Sequence, residues 1–97
     1  MSVRTTYVVD GGTANAIVDL RPLPSVRTRT LNALLAMRSR VLTQGGRIAV
    51  VLSPRQRRRF GLLGLDRRFV LAADRRQALE RLGLAEDRSP AFRARAA

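Results

Sequence analysis

Arg27-Thr28-Arg29-Thr30 alternates two guanidinium groups with two hydroxyls just ahead of an apolar-periodic segment. The first N–H groups of a helix lack intrahelical partners, so such a tetrapeptide can form an anion pocket. The plainer alternative is a solvated basic turn in which a threonine caps the helix. A denser block follows at Arg55, Arg57, Arg58 and Arg59, with Arg67 and Arg68 close behind and Asp66 the single acid between. At helical spacing Arg55, Arg58 and Arg59 share a face that could track a phosphate backbone, or that simply stands in water. The chain has one Tyr and three Phe. With Phe60 and Phe69 placed like core residues, base stacking has few platforms, and non-specific electrostatic attraction is the mode left to the arginines.

Chemistry of other kinds is poorly served. There is no His and no Cys, which removes the commonest general base, the usual zinc sites, disulfides and thiol catalysis. Asp19 and Asp66 could pass for a carboxylate pair, but a strand end and a Gly-Leu-Asp turn are ordinary places for aspartate. No catalytic residue, metal or cofactor is therefore expected, and the chain is read as a non-enzyme. The formal charge is +12, carried by nineteen arginines and no lysine against seven acids. That charge attracts polyanions. Complete replacement of Lys by Arg also fits a genome rich in G and C, so composition and selection both remain open. Arg4, Asp10, Asp19 and Arg21 cancel within the first 26 residues, so the basic character belongs to the remainder.

The elements that must position these residues can be read in order. Thr5–Val9 is β-branched and aromatic and reads as a strand, followed by the turn signal Asp10-Gly11-Gly12. Ala16–Leu20 reads as a second, buried strand, and Pro22 and Pro24 break the pattern after it. Leu31, Leu34, Leu35, Met37, Val41 and Leu42 give a helix from about Arg29 to Thr43, with Thr28 or Thr30 as N-cap, Arg38-Ser39-Arg40 outward and Gly45-Gly46 as the stop. Arg47–Leu52 is a third strand. Ser53-Pro54-Arg55-Gln56 has the form of a capping box that opens a short helix ending near Gly61 or Gly64. Phe69–Ala72 is a fourth strand, and Asp74-Arg75-Arg76-Gln77 opens a helix ending at Gly83. Strands alternating with helices predict an α/β fold: a mixed, mostly parallel four-stranded sheet with about three helices.

At 97 residues, with 45% hydrophobic and 27% charged, one globular domain is expected over 1–83 with a mobile tail over 84–97. No run is long enough for a membrane span, and the start has no apolar signal region, so a cytoplasmic location is expected.

The series Ile17-Val18-Asp19-Leu20, Leu31-Asn32-Ala33-Leu34-Leu35, Gly45-Gly46-Arg47-Ile48-Ala49-Val50-Val51, Phe60-Gly61-Leu62-Leu63-Gly64-Leu65-Asp66 and Arg76-Gln77-Ala78-Leu79 resembles the STAS domain of anti-sigma factor antagonists. The match covers about Ala16 to Leu82. It implies a regulatory module that binds a kinase-like anti-sigma factor. In that family an Asp-Ser-(Ser/Thr/Ala)-Gly stretch opens the first long helix and is the phosphorylation site. Alignment from Asp19-Leu20 places it on Arg27-Thr28-Arg29-Thr30, with Thr28 as phosphoacceptor. Arg27, Arg29, Thr30 and Asn32 then fall at the partner surface.

Arg27 stands where the family has Asp, and Thr30 where it has Gly. A phosphate on Thr28 would land between two arginines at a helix N-terminus, where it is stabilised, not beside a carboxylate. Against the family pattern the chain is also short ahead of Asp19. One sheet face is therefore expected to lack a helix and to be covered by a partner or by a second copy in a homo-oligomer. The reading from another class is a nucleic-acid-binding or structural subunit that uses the same fold as scaffold for its arginines, Arg55, Arg57, Arg58, Arg59, Arg67 and Arg68 foremost.

Overall fold

Gly11 and Gly12 both adopt positive φ, 58° and 84°, the twist that a two-residue hairpin turn requires. They join β1 (Arg4–Asp10) to β2 (Thr13–Asp19) in a seven-pair antiparallel ladder, from Arg4 opposite Asp19 to Asp10 opposite Thr13. In this computed structural model, which describes residues 3–84, two parallel seams complete the sheet. β2 pairs with β3 (Ile48–Val51), and β3 with β4 (Val70–Ala72), in the spatial order β1-β2-β3-β4. The sheet is mixed, not mostly parallel as the strand–helix alternation predicts. A two-residue turn admits only antiparallel pairing, and that ladder is the longest in the sheet.

The crossovers follow from alternation along the strands. Ala16, Val18 and Leu20 of β2 and its extension, with Ile48, Val50 and Leu71, face one side. There α1 (Thr28–Thr43) and α2 (Pro54–Leu62) pack on them. Ile17, Ala49, Val51 and Ala72 face the other side, which takes α3 (Arg75–Arg81) through Ala78 and Leu79, together with its C-cap Leu82. Both faces therefore carry a helix, and the bare face expected from the short N-terminal region is not found. Phe60 and Phe69 are core residues, their rings 6.4 Å apart and edge to face. A 3₁₀ turn at Leu65–Arg67 joins α2 to β4.

Three local contacts shape the elements around the helix starts. First, α1 buries Leu34 and Val41 and half-buries Leu31, Leu35 and Met37, but leaves Leu42 exposed. Arg38 is not fully outward: its Nε donates to the Arg68 carbonyl at 2.6 Å. Second, Gly46 lies against the Ala14 carbonyl so closely that a side chain there would collide with backbone. Third, the Leu84 N–H donates to Leu79 at 2.9 Å, and Leu84 packs against the α3 side. The rest of the expected tail lies outside the described residues.

Candidate functional site

In a parallel arrangement every strand-to-helix connection leaves from the carboxyl end of its strand, the end at which open α/β sheets bind ligands. The N-termini of α1, α2 and α3 accordingly follow β2, β3 and β4 at one end of the sheet. Their first turns are finished differently.

α2 has the full capping box that its sequence predicts. The Ser53 Oγ accepts from the Gln56 N–H at 3.3 Å, and the Gln56 Oε1 accepts from the Ser53 N–H at 2.9 Å. α3 has Asp74, whose Oδ1 accepts from the Gln77 N–H at 2.8 Å. Here the return bond shifts by one residue, because the Gln77 Oε1 takes the Ala73 N–H.

α1 has neither. Its N-cap is Arg27, extended at φ −93° and ψ 164°, with no side-chain capping bond. The expectation that Thr28 or Thr30 caps this helix is corrected. Thr28 is already the first helical residue, and the Arg27 carbonyl accepts the first helical bond, from Leu31 at 3.0 Å. Ahead of it Val26 is buried in the core, which fixes where the backbone turns into the helix. Arg27, Thr28, Arg29 and Asn32 are exposed and Thr30 is half-buried. None of these five side chains has a hydrogen-bond or ion-pair partner among the described residues.

The loop that presents this open start is nevertheless fixed. Gln56 is buried, and its Nε2 donates to the Leu20 carbonyl at 2.8 Å and the Leu23 carbonyl at 3.3 Å. One amide thus closes α2 and holds the β2–α1 loop. Sequence reasoning finds Gln56 as a capping residue but misses its second role, because nothing local connects positions 56 and 20.

Arg21 is also missed. It grips Asp19 with two donors, Nε at 3.0 Å and Nη2 at 2.8 Å, and its Nη1 reaches the Ala73 carbonyl at 3.4 Å. Its guanidinium holds the Asp19 carboxyl below the usual range, against the opposing effect of burial. Arg21 lines a cleft of about 520 Å³ together with Ser53, Pro54, Arg57 and Arg58. The long basic block is spread over more than one depression. Arg57 and Arg58 meet Arg21, while Arg67 and Arg68 line a separate groove with Arg38 and Arg47. Arg55 and Arg59 are exposed on α2 and line neither. Asp66 sits beside Arg57 and Arg81 in a third depression, without Asp19.

Among the described residues no helix is long and apolar enough to cross a membrane. No protein-family model, curated protein or solved structure gives a significant match to this chain.

Proposed function

We propose that this domain is a regulatory protein-binding module, acting in the manner of an anti-sigma factor antagonist, and that it docks a kinase-like anti-sigma partner on the opening turn of α1. The observation that supports this reading is the contrast between helix starts: α2 and α3 are closed by their own side chains, and α1 is open and exposed. Thr28, Arg29 and Thr30 offer backbone N–H groups with no intrahelical acceptor, and Arg27, Arg29 and Asn32 offer side-chain donors. An acidic partner surface satisfies both sets. The surrounding positive charge speeds its approach more than it tightens the complex.

Phosphorylation of Thr28 acts on the same donors. A phosphate there carries about −1.5 to −2 charges and lies between Arg27 and Arg29 at the positive end of a helix. It occupies the donors that an acidic partner uses, so it competes with docking while leaving the helix intact.

The test is affinity capture from the native host after nuclease treatment. Recovery of one kinase-like protein, lost with Arg27→Glu/Arg29→Glu, supports the reading. A second reading rests on the cleft where Arg21, Arg57 and Arg58 converge. If the protein is a polyanion binder, nuclease removes everything captured, and affinity for RNA or DNA falls steeply with salt through counterion release.

A further inference from the structure

Among the described residues β1 has a free edge, and it differs from the other edge of the sheet. β4 is three residues long. β1 is seven, with no proline and a regular one-to-one register along its length. Long, flat edge strands template pairing, and proteins usually blunt them with proline, bulges or inward charges. Here charges stand only at the two ends, Arg4 and Asp10. Tyr7 and Val9 are 48% and 51% exposed, unusual for large apolar side chains on a strand whose neighbour is buried.

Which backbone groups face outward follows from the hairpin. In a two-residue hairpin the residues flanking the turn, Asp10 and Thr13, form a hydrogen-bonded pair, and such pairs alternate along the ladder. Arg4, Thr6, Val8 and Asp10 therefore direct their N–H and C=O groups at β2. The Asn15 Nδ2 bond to the Val8 carbonyl agrees with this. Thr5, Tyr7 and Val9 direct theirs away from the sheet.

We infer that β1 pairs antiparallel with β1 of a second copy about a two-fold axis at Tyr7, joining the two sheets into one of eight strands. In this register Tyr7 opposes Tyr7, Thr5 opposes Val9, Thr6 opposes Val8 and Arg4 opposes Asp10. The outward groups of Thr5, Tyr7 and Val9 meet only one another, so every ladder bond closes. Tyr7 and its mate sit side by side on the α1 face, an aromatic cross-strand pair.

The choice of a second copy as occupant rests on the ends of the strand. Arg4 and Asp10 become two symmetric ion pairs at non-hydrogen-bonded positions, where Cα atoms lie about 4.5 Å apart. The Asp10 carboxylate has no hydrogen-bond or ion-pair partner among the described residues. The acid that Arg4 feels across the ladder, Asp19, is already gripped by Arg21. A shift of register by two residues loses both pairs. The first 26 residues, which include the hairpin, carry no net side-chain charge in a +12 chain, so two copies meet where repulsion is weakest.

The test uses the protein unaltered, because Tyr7 is its single tyrosine. Sedimentation across micromolar concentrations should show a monomer–dimer equilibrium. Photo-oxidative coupling should give a dityrosine-linked dimer whose yield tracks the dimer fraction on dilution. Asp10→Asn should weaken association and Asp10→Lys should weaken it further, by about tenfold in all, with the circular dichroism unchanged. A monomer up to about 100 μM, a dimer that yields no dityrosine, or a dimer indifferent to the charge at position 10 would each overturn the inference.

Discussion

α1 and α2 begin at the same end of the same sheet, and their first turns are built in opposite ways. In α2, Ser53 and Gln56 satisfy each other's backbone N–H groups. In α1, Arg27 caps nothing, and the side chains of Arg27, Thr28, Arg29 and Asn32 stand exposed without partners among the described residues. The open start is not loose, because the loop before it is anchored by Gln56 from the neighbouring helix and by buried Val26. Holding and presenting are thus assigned to different residues. A backbone held by supporting residues suits recognition, since little backbone ordering cost remains at binding and only the free side chains have still to be fixed.

The comparison breaks most severely at Gln56. Gln56→Ala removes one half of the capping box and leaves two loop carbonyls without their donor. We expect a loss of about 3 kcal/mol, read by urea unfolding. A loss under about 1 kcal/mol would mean that the α1 start is held by Val26 alone.

The arginines divide in the same way as the helix starts, and Arg21 is the closed case. The Asp19 carboxyl is lowered below 3.8 chiefly by its hydrogen bond to Arg21. A group whose folded pKa is depressed contributes stability above its unfolded pKa and loses it as pH falls through the folded one. The contribution is therefore intact at neutral pH and fades below about pH 4. Arg21 is nearly half exposed, its side chain at 44%, so screening limits the pair to about 1 kcal/mol. Asp19→Asn should show that deficit at pH 7, and the two unfolding curves should converge in acid. A deficit that persists at low pH would point to packing rather than charge.

Local chemistry made much of this legible in advance. The Gly-Gly turn, the Ser53–Gln56 box, the Asp74 cap and the core placement of Phe60 and Phe69 each depend on a few neighbouring residues. The dominance of the antiparallel ladder was harder to see. Strand–helix alternation describes the second half of the chain, while a two-residue turn sets the first. The failures at the candidate site share a cause. Thr28 looks like a cap by residue type, yet the buried Val26 sets the phase of the helix and puts Arg27 in the cap position. The bonds from Gln56 to Leu20 and from Arg21 to Ala73 span 36 and 52 residues, and no periodicity encodes them.

Giving α1 the cap it lacks sharpens the contrast in the other direction. Arg27→Ser keeps an extended backbone and supplies an acceptor for the free N–H groups. It should stabilise the fold by about 0.5–1 kcal/mol. If the open start is the docking surface, the same change should weaken capture of the partner. Stability rising while binding falls is the signature of a position kept open for use.

The smallest effect is expected at Thr28, and it discriminates best. As an ordinary cap, a threonine lost to alanine costs about 1 kcal/mol. As the first helical residue, exposed and with no side-chain bond, Thr28→Ala should stay within about 0.5 kcal/mol of the parent, since it removes no contact and alanine is the better helix former. Thermal unfolding of the two proteins side by side decides between these. A cost near 1 kcal/mol would make α1 a capped helix like the other two, and the distinction between open and closed starts would go with it. A neutral result leaves the hydroxyl with no role in stability, and a loss of partner capture or of phosphate incorporation by the same variant would then belong to recognition alone.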